Sequence, residues 1–204
     1  MEYTVEWLAR YDIREIIINL HYRQEVIRRH FGDGSRWGVL IRYSPEQRLL
    51  GTAGGVKAVE DFFDETFLVW YGDNLCRPDL AKMVSFHRAK RGIATLALFN
   101  RSDLASSGIV ALDDNNRVCR FVEKPTSEEV FSYLINAGIY ILEPAIFKYI
   151  PPDTSCDFGR DIFPALLEGG EEIYGYRLTV PLFWIDTPED YERAQKDIKE
   201  GRLG

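Results

Sequence analysis

Four short apolar runs, separated by stretches of helical periodicity, constrain this chain more than any other feature. "IREIIINL" (13–20), "GVLIRYS" (38–44), "TFLVWYGD" (66–73) and "IATLALF" (93–99) have strand length and strand composition. Between them lie helical patterns. "RQEVIRRHFGDG" (23–34) ends at Gly32, where a left-handed residue costs little. "TAGGVKAVEDFF" (52–63) is a glycine-rich turn entering a helix, and its Lys57 is expected at the surface. "PDLAKMVSFHRAKRG" (78–92) has Pro78 near its start and Gly92 after its end. Strands alternating with helices predict an α/β fold with a doubly wound, mainly parallel, Rossmann-like mixed sheet. Ligands of such sheets bind beyond the C-terminal ends of the strands.

After residue 107 the pattern changes. "GIVALDDNNRVCRFVEKP" (108–125) is two strands around the turn "DDNN", a small antiparallel hairpin. "LINAGIYIL" (134–142) is a strand, "EPAIFKYI" and "RDIFPALLEG" are short helices, and "EIYGYRL" and "LFWID" are short strands. "TPEDYERAQKDIKEG" (187–201) is a closing helix with Thr187 as a candidate cap and Pro188 in its first turn. There is no internal repeat, and the 204 residues are expected to form one domain.

Composition narrows the partners. The net charge of −7 disfavours non-specific nucleic-acid binding. No apolar run is long enough to span a bilayer, and no signal-peptide pattern precedes them. Cys76, Cys119 and Cys156 have neither disulfide-framework nor zinc spacing, which predicts reduced thiols and a cytoplasmic location. His21, His30 and His87 show no metal-binding spacing, and no GxSxG elbow is present.

Two carboxylates end apolar stretches. Asp73 in "YGDN" is either a turn residue or a carboxylate pointing into the ligand crevice. Asp186 in "FWIDTPEDY" either helps cap the last helix or joins Asp73 on one Mg²⁺, which favours one or two carboxylates with phosphate oxygens. "LGTAGGVK" offers small residues and backbone N–H groups at a helix start, suited to a base, ribose or phosphate, but it lacks the Walker pattern. "FVEKP" is an exposed hairpin end, or a place where Glu123 accepts sugar hydroxyls and Lys124 meets a phosphate. "NAGIY" is a glycine irregularity in a strand, or a site where Asn136 and Gly138 face a sugar.

In this order and spacing, "LGTAGG", "YGDN", "SGIVALDDNNRVCRFVEKP", "NAGIYIL", "DFGRDIFPALL" and "FWIDTPEDY" resemble the sugar-1-phosphate nucleotidyltransferases, over nearly the whole chain. This family includes mannose-1-phosphate guanylyltransferases and glucose-1-phosphate thymidylyl- and uridylyltransferases. The resemblance implies that Gly51, Thr52, Ala53 and Gly54 hold the base of a nucleoside triphosphate. It implies that Asp73 and Asp186 bind Mg²⁺, and that Gly108, Glu123, Lys124, Asn136 and Gly138 form the sugar-phosphate pocket. Asp73, Lys124 and Asp186 are then the catalytic set. "LGTAGG" points toward the guanylyltransferase branch, and a homo-oligomer is compatible with the family. Ser107 departs from the Tyr that many relatives carry before the glycine.

A second departure concerns the start. Family members begin with a strand and a GGxGTRLxPLT loop, followed by a lysine-proline segment, before the helix that "MEYTVEWLAR" matches. The expectation is a truncated reading frame, a misassigned start or a shortened paralogue. Two functions follow: an enzyme transferring a nucleoside monophosphate to a sugar 1-phosphate, or a non-catalytic sugar-nucleotide-binding or regulatory relative. A glycosyltransferase ranks below both, because "YGDN" is a poor substitute for its usual paired aspartates. A doubly wound sheet without its first strand must either close the gap by new pairing or leave strand edges open. The isolated chain is therefore expected to be aggregation-prone, partly disordered near the "IREIIINL" and "TFLVWYG" strands, or rescued by a partner chain, and to show no pyrophosphate release.

Overall fold

A computed structural model describes residues 1–101 and 107–202. In chain order the elements are α1 (Glu2–Arg10), β1 (Glu15–Leu20), α2 (Gln24–Phe31), β2 (Leu40–Pro45), α3 (Gly51–Lys57), β3 (Phe67–Trp70), β4 (Asn74–Cys76) and α4 (Leu80–Lys90). Then follow β5 (Ala94–Asn100), β6 (Ile109–Leu112), β7 (Val118–Val122), β8 (Leu134–Leu142), α5 (Phe163–Glu168), β9 (Ile173–Arg177), β10 (Leu182–Trp184) and α6 (Pro188–Lys199). "EPAIFKYI" winds as a 3₁₀ helix over Pro144–Tyr149, and α5 is entered through a π-helical turn, Phe158–Ile162.

The large sheet has the order β7-β6-β8-β5-β9, with β3 also on β8. The long strand β8 is its spine. One edge pairs with β5, and the other with β3 and, at Ile135, with β6. A strand with partners on both edges and packing on both faces needs a continuous apolar sequence, and all nine residues of β8 except Asn136 are buried. Side chains alternate between two cores, as a period of two requires. Leu96, Leu98, Tyr140 and Leu142 join Phe158, Phe163 and Leu166 on one side. Ala97, Ile139 and Ile141 join Met83, Cys76 and Leu182 on the other.

The mixed α/β class agrees with the expectation, and the pairings refine it. β3, β5, β6 and β9 run one way and β7 and β8 the other, so most strands share a direction although most neighbours pair antiparallel. The cause is the reversed spine, whose direction the sequence does not encode. The "DDNN" turn forms because the Asp113 carboxylate accepts from Asn115 N and Arg117 N, both at 2.8 Å, while Asn116 takes a left-handed φ of 64°.

β1 and β2 make a separate parallel pair with their own core of Val5, Ile18, Leu20, Phe31, Val39 and Ile41. Among the described residues β1 pairs with β2 alone and β3 with β8 alone. Between them lies a cavity of about 510 Å³, lined by successive residues of both strands, Ile16 to Asn19 and Phe67 to Trp70. Of the two outcomes expected for such a sheet, the edges stay open rather than closing on each other.

Two helix caps follow the local sequence. Asp79 accepts from Lys82 N to start α4, and Thr187 and Asp190 form a reciprocal capping box on α6. Lys57 departs from expectation. Its side chain is 14% exposed, paired with Glu60 at 2.5 Å and donating to Phe147 O at 3.1 Å. Tertiary packing supplies acceptors for an ammonium that helix position alone would put in water.

Candidate active site

The two carboxylates are brought to one end of one ladder. β4 and β10 pair antiparallel, with Trp184 opposite Asn74. One step beyond, Ile185 N donates to Asp73 O at 3.1 Å, which sets Asp186 beside Asp73. Thr187 and Asp190 cap α6, so Asp186 is not required for that task. Loss of water around Asp73, and then the like charge of Asp186, raise its carboxyl above the ordinary range. The N-terminal ammonium opposes this, as does a backbone hydrogen bond. Two hard oxygen ligands set side by side suit a divalent cation such as Mg²⁺. Among the described residues no group of three or more His, Cys, Asp or Glu could hold a metal. Asp73 lines a cavity of about 280 Å³ that shares Met1 and Gly72 with the larger one.

From Asp73 a chain of contacts leads to the second cluster. The neighbouring Asn74 is buried and donates to Ala137 O at 2.6 Å. Gly138 follows, with φ +65°; a Cβ there would stand 2.5 Å from Asn74 Nδ2 and 2.7 Å from the Tyr71 ring. Asn136 donates to the Tyr140 hydroxyl at 2.7 Å, and Tyr140 donates to the Tyr71 hydroxyl at 3.2 Å. Asn136 N also donates to Gly108 O at 2.8 Å, joining β8 to the start of the hairpin. The Glu123 carboxylate closes over this point, since a Cβ on Gly108 would come within 2.5 Å of its Oε2, and one on Gly159 would also collide with it. Burial and the nearby charge of Asp157 raise Glu123, while Lys124 and Arg160 oppose the shift. Lys124 is exposed just past the end of β7, at the open end of the hairpin, with a left-handed φ of 48°.

The glycine-rich segment divides. Gly51 and Thr52 line the large cavity. Ala53 and Gly54 are buried, and both amides donate to Cys156 O, at 3.0 and 3.1 Å. The smallness of this loop therefore serves packing against the chain around Cys156. A Cβ on Gly51 would lie 2.5 Å from Cys156 O, and one on Gly54 2.6 Å from Thr154 O. Thr52 is the hub: its hydroxyl donates to Asp157 Oδ2 at 2.6 Å and accepts from Phe158 N at 2.9 Å. Asp157, Tyr71 and Tyr140 lie within the motifs "DFGRDIFPALL", "YGDN" and "NAGIYIL", which assigned them no role. Asp157 begins the "DFGRD" turn and accepts from Gly159 N and Arg160 N, a role visible only once the turn is seen to be helical.

Comparison with known proteins places the chain in a class. The family model described as Nucleotidyl transferase matches residues 1–201, and the chain belongs to that family. Among curated relatives, the UTP–glucose-1-phosphate uridylyltransferase of Synechocystis sp. is 38% identical over 97% of this chain and 55% of its own length. The mannose-1-phosphate guanylyltransferase of Mycobacterium tuberculosis is 37% identical over 95% of this chain and 54% of its own. The chain thus spans about half the length of these relatives. The crystal structure of HddC from Yersinia pseudotuberculosis shares the fold, with a TM-score of 0.80 at 23% identity, covering 97% of this chain and 84% of that one. Among the described residues no helix is long and apolar enough to cross a membrane.

Proposed function

We propose that residues 1–204 form one nucleotidyltransferase domain that works on a nucleoside triphosphate and a sugar 1-phosphate. In the full family reaction the nucleoside monophosphate passes to the sugar phosphate and pyrophosphate is released. The observation that carries this reading is the convergence of Asp73 and Asp186 at the end of the β4–β10 ladder, one contact away from the Asn136–Gly138 turn. The sugar-phosphate oxygen attacks the α-phosphorus, and the bond from that phosphorus to the pyrophosphate oxygen breaks. Asp73 and Asp186 would hold Mg²⁺, which when bound offsets phosphate charge. Lys124, exposed at the open end of the hairpin, would meet the sugar phosphate, and Glu123, Asn136 and the backbone at Gly108 and Gly138 would accept from and donate to the sugar. Gly51 and Thr52, the part of the glycine segment that reaches the cavity, would face the nucleotide. A mannose-1-phosphate guanylyltransferase-like enzyme of the cytoplasm, without a nucleic-acid or membrane partner, is the specific form of this reading.

The test is Mn²⁺ binding by calorimetry together with pyrophosphate release. Asp73→Asn should weaken Mn²⁺ at least tenfold and leave the melting transition cooperative. Unchanged Mn²⁺ affinity in that variant would remove the metal assignment. Binding of sugar phosphate without any turnover would favour a non-catalytic relative.

A further inference from the structure

Gly159 has no part in the reading above, and its own backbone gives no reason for a glycine. It is buried in the π-helical turn Phe158–Ile162, and its φ lies outside the left-handed region that glycine enters freely. In a helical turn alanine is the better residue. A glycine that weakens the turn calls for a neighbour that needs the space of the missing methyl. That neighbour is the Glu123 carboxylate, whose Oε2 and Cδ are the atoms nearest to a Cβ built on Gly159. The next atom, Asp157 Oδ1, is at 3.5 Å, an ordinary contact.

The facing wall is Gly108. A Cβ there would stand 2.5 Å from the same oxygen, Glu123 Oε2, and 2.5 Å from Cζ of the buried Phe121 ring. Oε2 is thus seated between two residues that carry no side chain. The turn on one side of this seat is firmly held. Asp157 Oδ1 accepts from Gly159 N at 3.0 Å and Arg160 N at 3.2 Å, Asp161 Oδ2 accepts from Asp157 N at 2.7 Å, and Thr52 Oγ1 accepts from Phe158 N at 2.9 Å. The carboxylate, at the end of a flexible side chain, is not tied in this way. Among the described residues none donates a hydrogen bond to either of its oxygens, and the charges acting on it are Asp157, Lys124 and Arg160. Its direction is therefore set by the shape of the seat. Its acceptor positions, about four in a carboxylate, are left for donors brought from outside, and sugar hydroxyls are donors of that kind.

We infer that Gly159 is a positioning residue: it makes room for Glu123 Oε2 against Gly108 and so fixes the direction in which the carboxylate meets a sugar hydroxyl. The inference rests on the nucleotidyltransferase reading, which gives Glu123 the sugar. It also explains why the two walls differ. A methyl at Gly108 would press on a core ring, whereas a methyl at Gly159 would press only on a side-chain end that can swing away. Gly159→Ala should therefore keep the fold and lose the aim of the carboxylate.

The probes are mannose 1-phosphate and glucose 1-phosphate, each titrated calorimetrically with Mg²⁺ into the 204-residue protein, Gly159→Ala, Glu123→Ala and the double variant. Mn²⁺ titrations and thermal melts accompany them. Gly159→Ala should weaken the tighter sugar phosphate by about tenfold to a hundredfold, the loss of one charge-assisted hydrogen bond or more. Its Mn²⁺ affinity should stay within about twofold of wild type, and its Tm should not fall. In the Glu123→Ala background, with no carboxylate to displace, adding Gly159→Ala should change sugar-phosphate affinity by less than about twofold. A purely structural glycine would give the same loss in both backgrounds. Unchanged affinity in Gly159→Ala, an equal loss with and without Glu123, or a lowered Tm that persists in the double variant overturns the assignment and leaves the nucleotidyltransferase reading standing. Failure of the wild-type protein to bind either sugar phosphate overturns that reading and the assignment with it.

Discussion

Replacing Gly138 by alanine separates two costs that usually arrive together. The position is left-handed, at φ +65°, and a residue with a Cβ pays about 1–2 kcal/mol to stay there. The new methyl would also stand 2.5 Å from Asn74 Nδ2 and 2.7 Å from the Tyr71 ring, far inside contact distance. Asn74 is 3% exposed, and its amide donates to Ala137 O, so displacing it strands a buried polar group at a cost of about 1–3 kcal/mol. The sum is about 2–5 kcal/mol, which for a domain of this size lowers Tm by about 4–20 °C. Gly170→Ala is the control: φ is +78°, but nothing lies within 4 Å of its Cβ, so it should show the backbone cost alone. Urea and thermal unfolding of both variants, read by circular dichroism, give the comparison. If Gly138→Ala is no less stable than Gly170→Ala, the packing argument is wrong. The double variant with Asn74→Ala should lose less than the sum of the singles, because the methyl then meets no amide.

Two further outcomes can be measured on the same protein. Thr52→Val leaves both Asp157 Oδ2 and Phe158 N without the hydroxyl and should cost about 1–3 kcal/mol by urea unfolding; a loss under about 0.5 kcal/mol would show that the hub is not structural. Glu143 gives a pH signature. Burial pushes its carboxyl up, but hydrogen bonds from His87 and Thr66 outweigh this and hold it below its ordinary value of 4.5. Its stabilisation is fully present above that value and is lost as pH falls through the folded one. Glu143→Gln should therefore melt below wild type at pH 7, with the gap closing as pH falls below 4.5; a gap that does not depend on pH would refute the linkage.

Periodicity shows the strands that carry their own apolar runs, such as β1, β5 and β8. It does not show β4, because the three residues Asn74–Cys76 become a strand only by pairing with Leu182–Trp184, more than a hundred positions away. Asp73 therefore sits in a turn between two strands rather than at the tip of one. Its closeness to Asp186 depends on that same ladder. The order of the motifs pointed to it, but the spacing of the two aspartates did not. The rings of Tyr71 and Tyr140 pack edge to face against one another, and the hydroxyl chain that joins them to Asn136 exists only because β3 and β8 lie side by side. In "LGTAGG" the small residues were legible, but not what they are small for. Cys156, the residue that takes two of the loop's amides, lies a hundred residues downstream.

The open edges of β1 and β3 have a consequence for how the molecule comes apart. A continuous ladder makes neighbouring strands open together, because each shares its hydrogen bonds with the next. Here the β1–β2 pair and the six-stranded sheet exchange no ladder bonds across the cavity among the described residues. Each half keeps its own apolar core, so each can exchange its amide protons as a separate cooperative unit. Native-state hydrogen exchange should then sort β1 and β2 into one class of opening energies, and β5 and β8 into a higher one. Gly51 and Thr52 line the cavity beside the first unit, and Asp73 and Asp186 stand at the end of the separate β4–β10 pair, so a nucleotide that touches both would couple their opening. Its binding should be visible as slower exchange in β1 and β2, far from the phosphates.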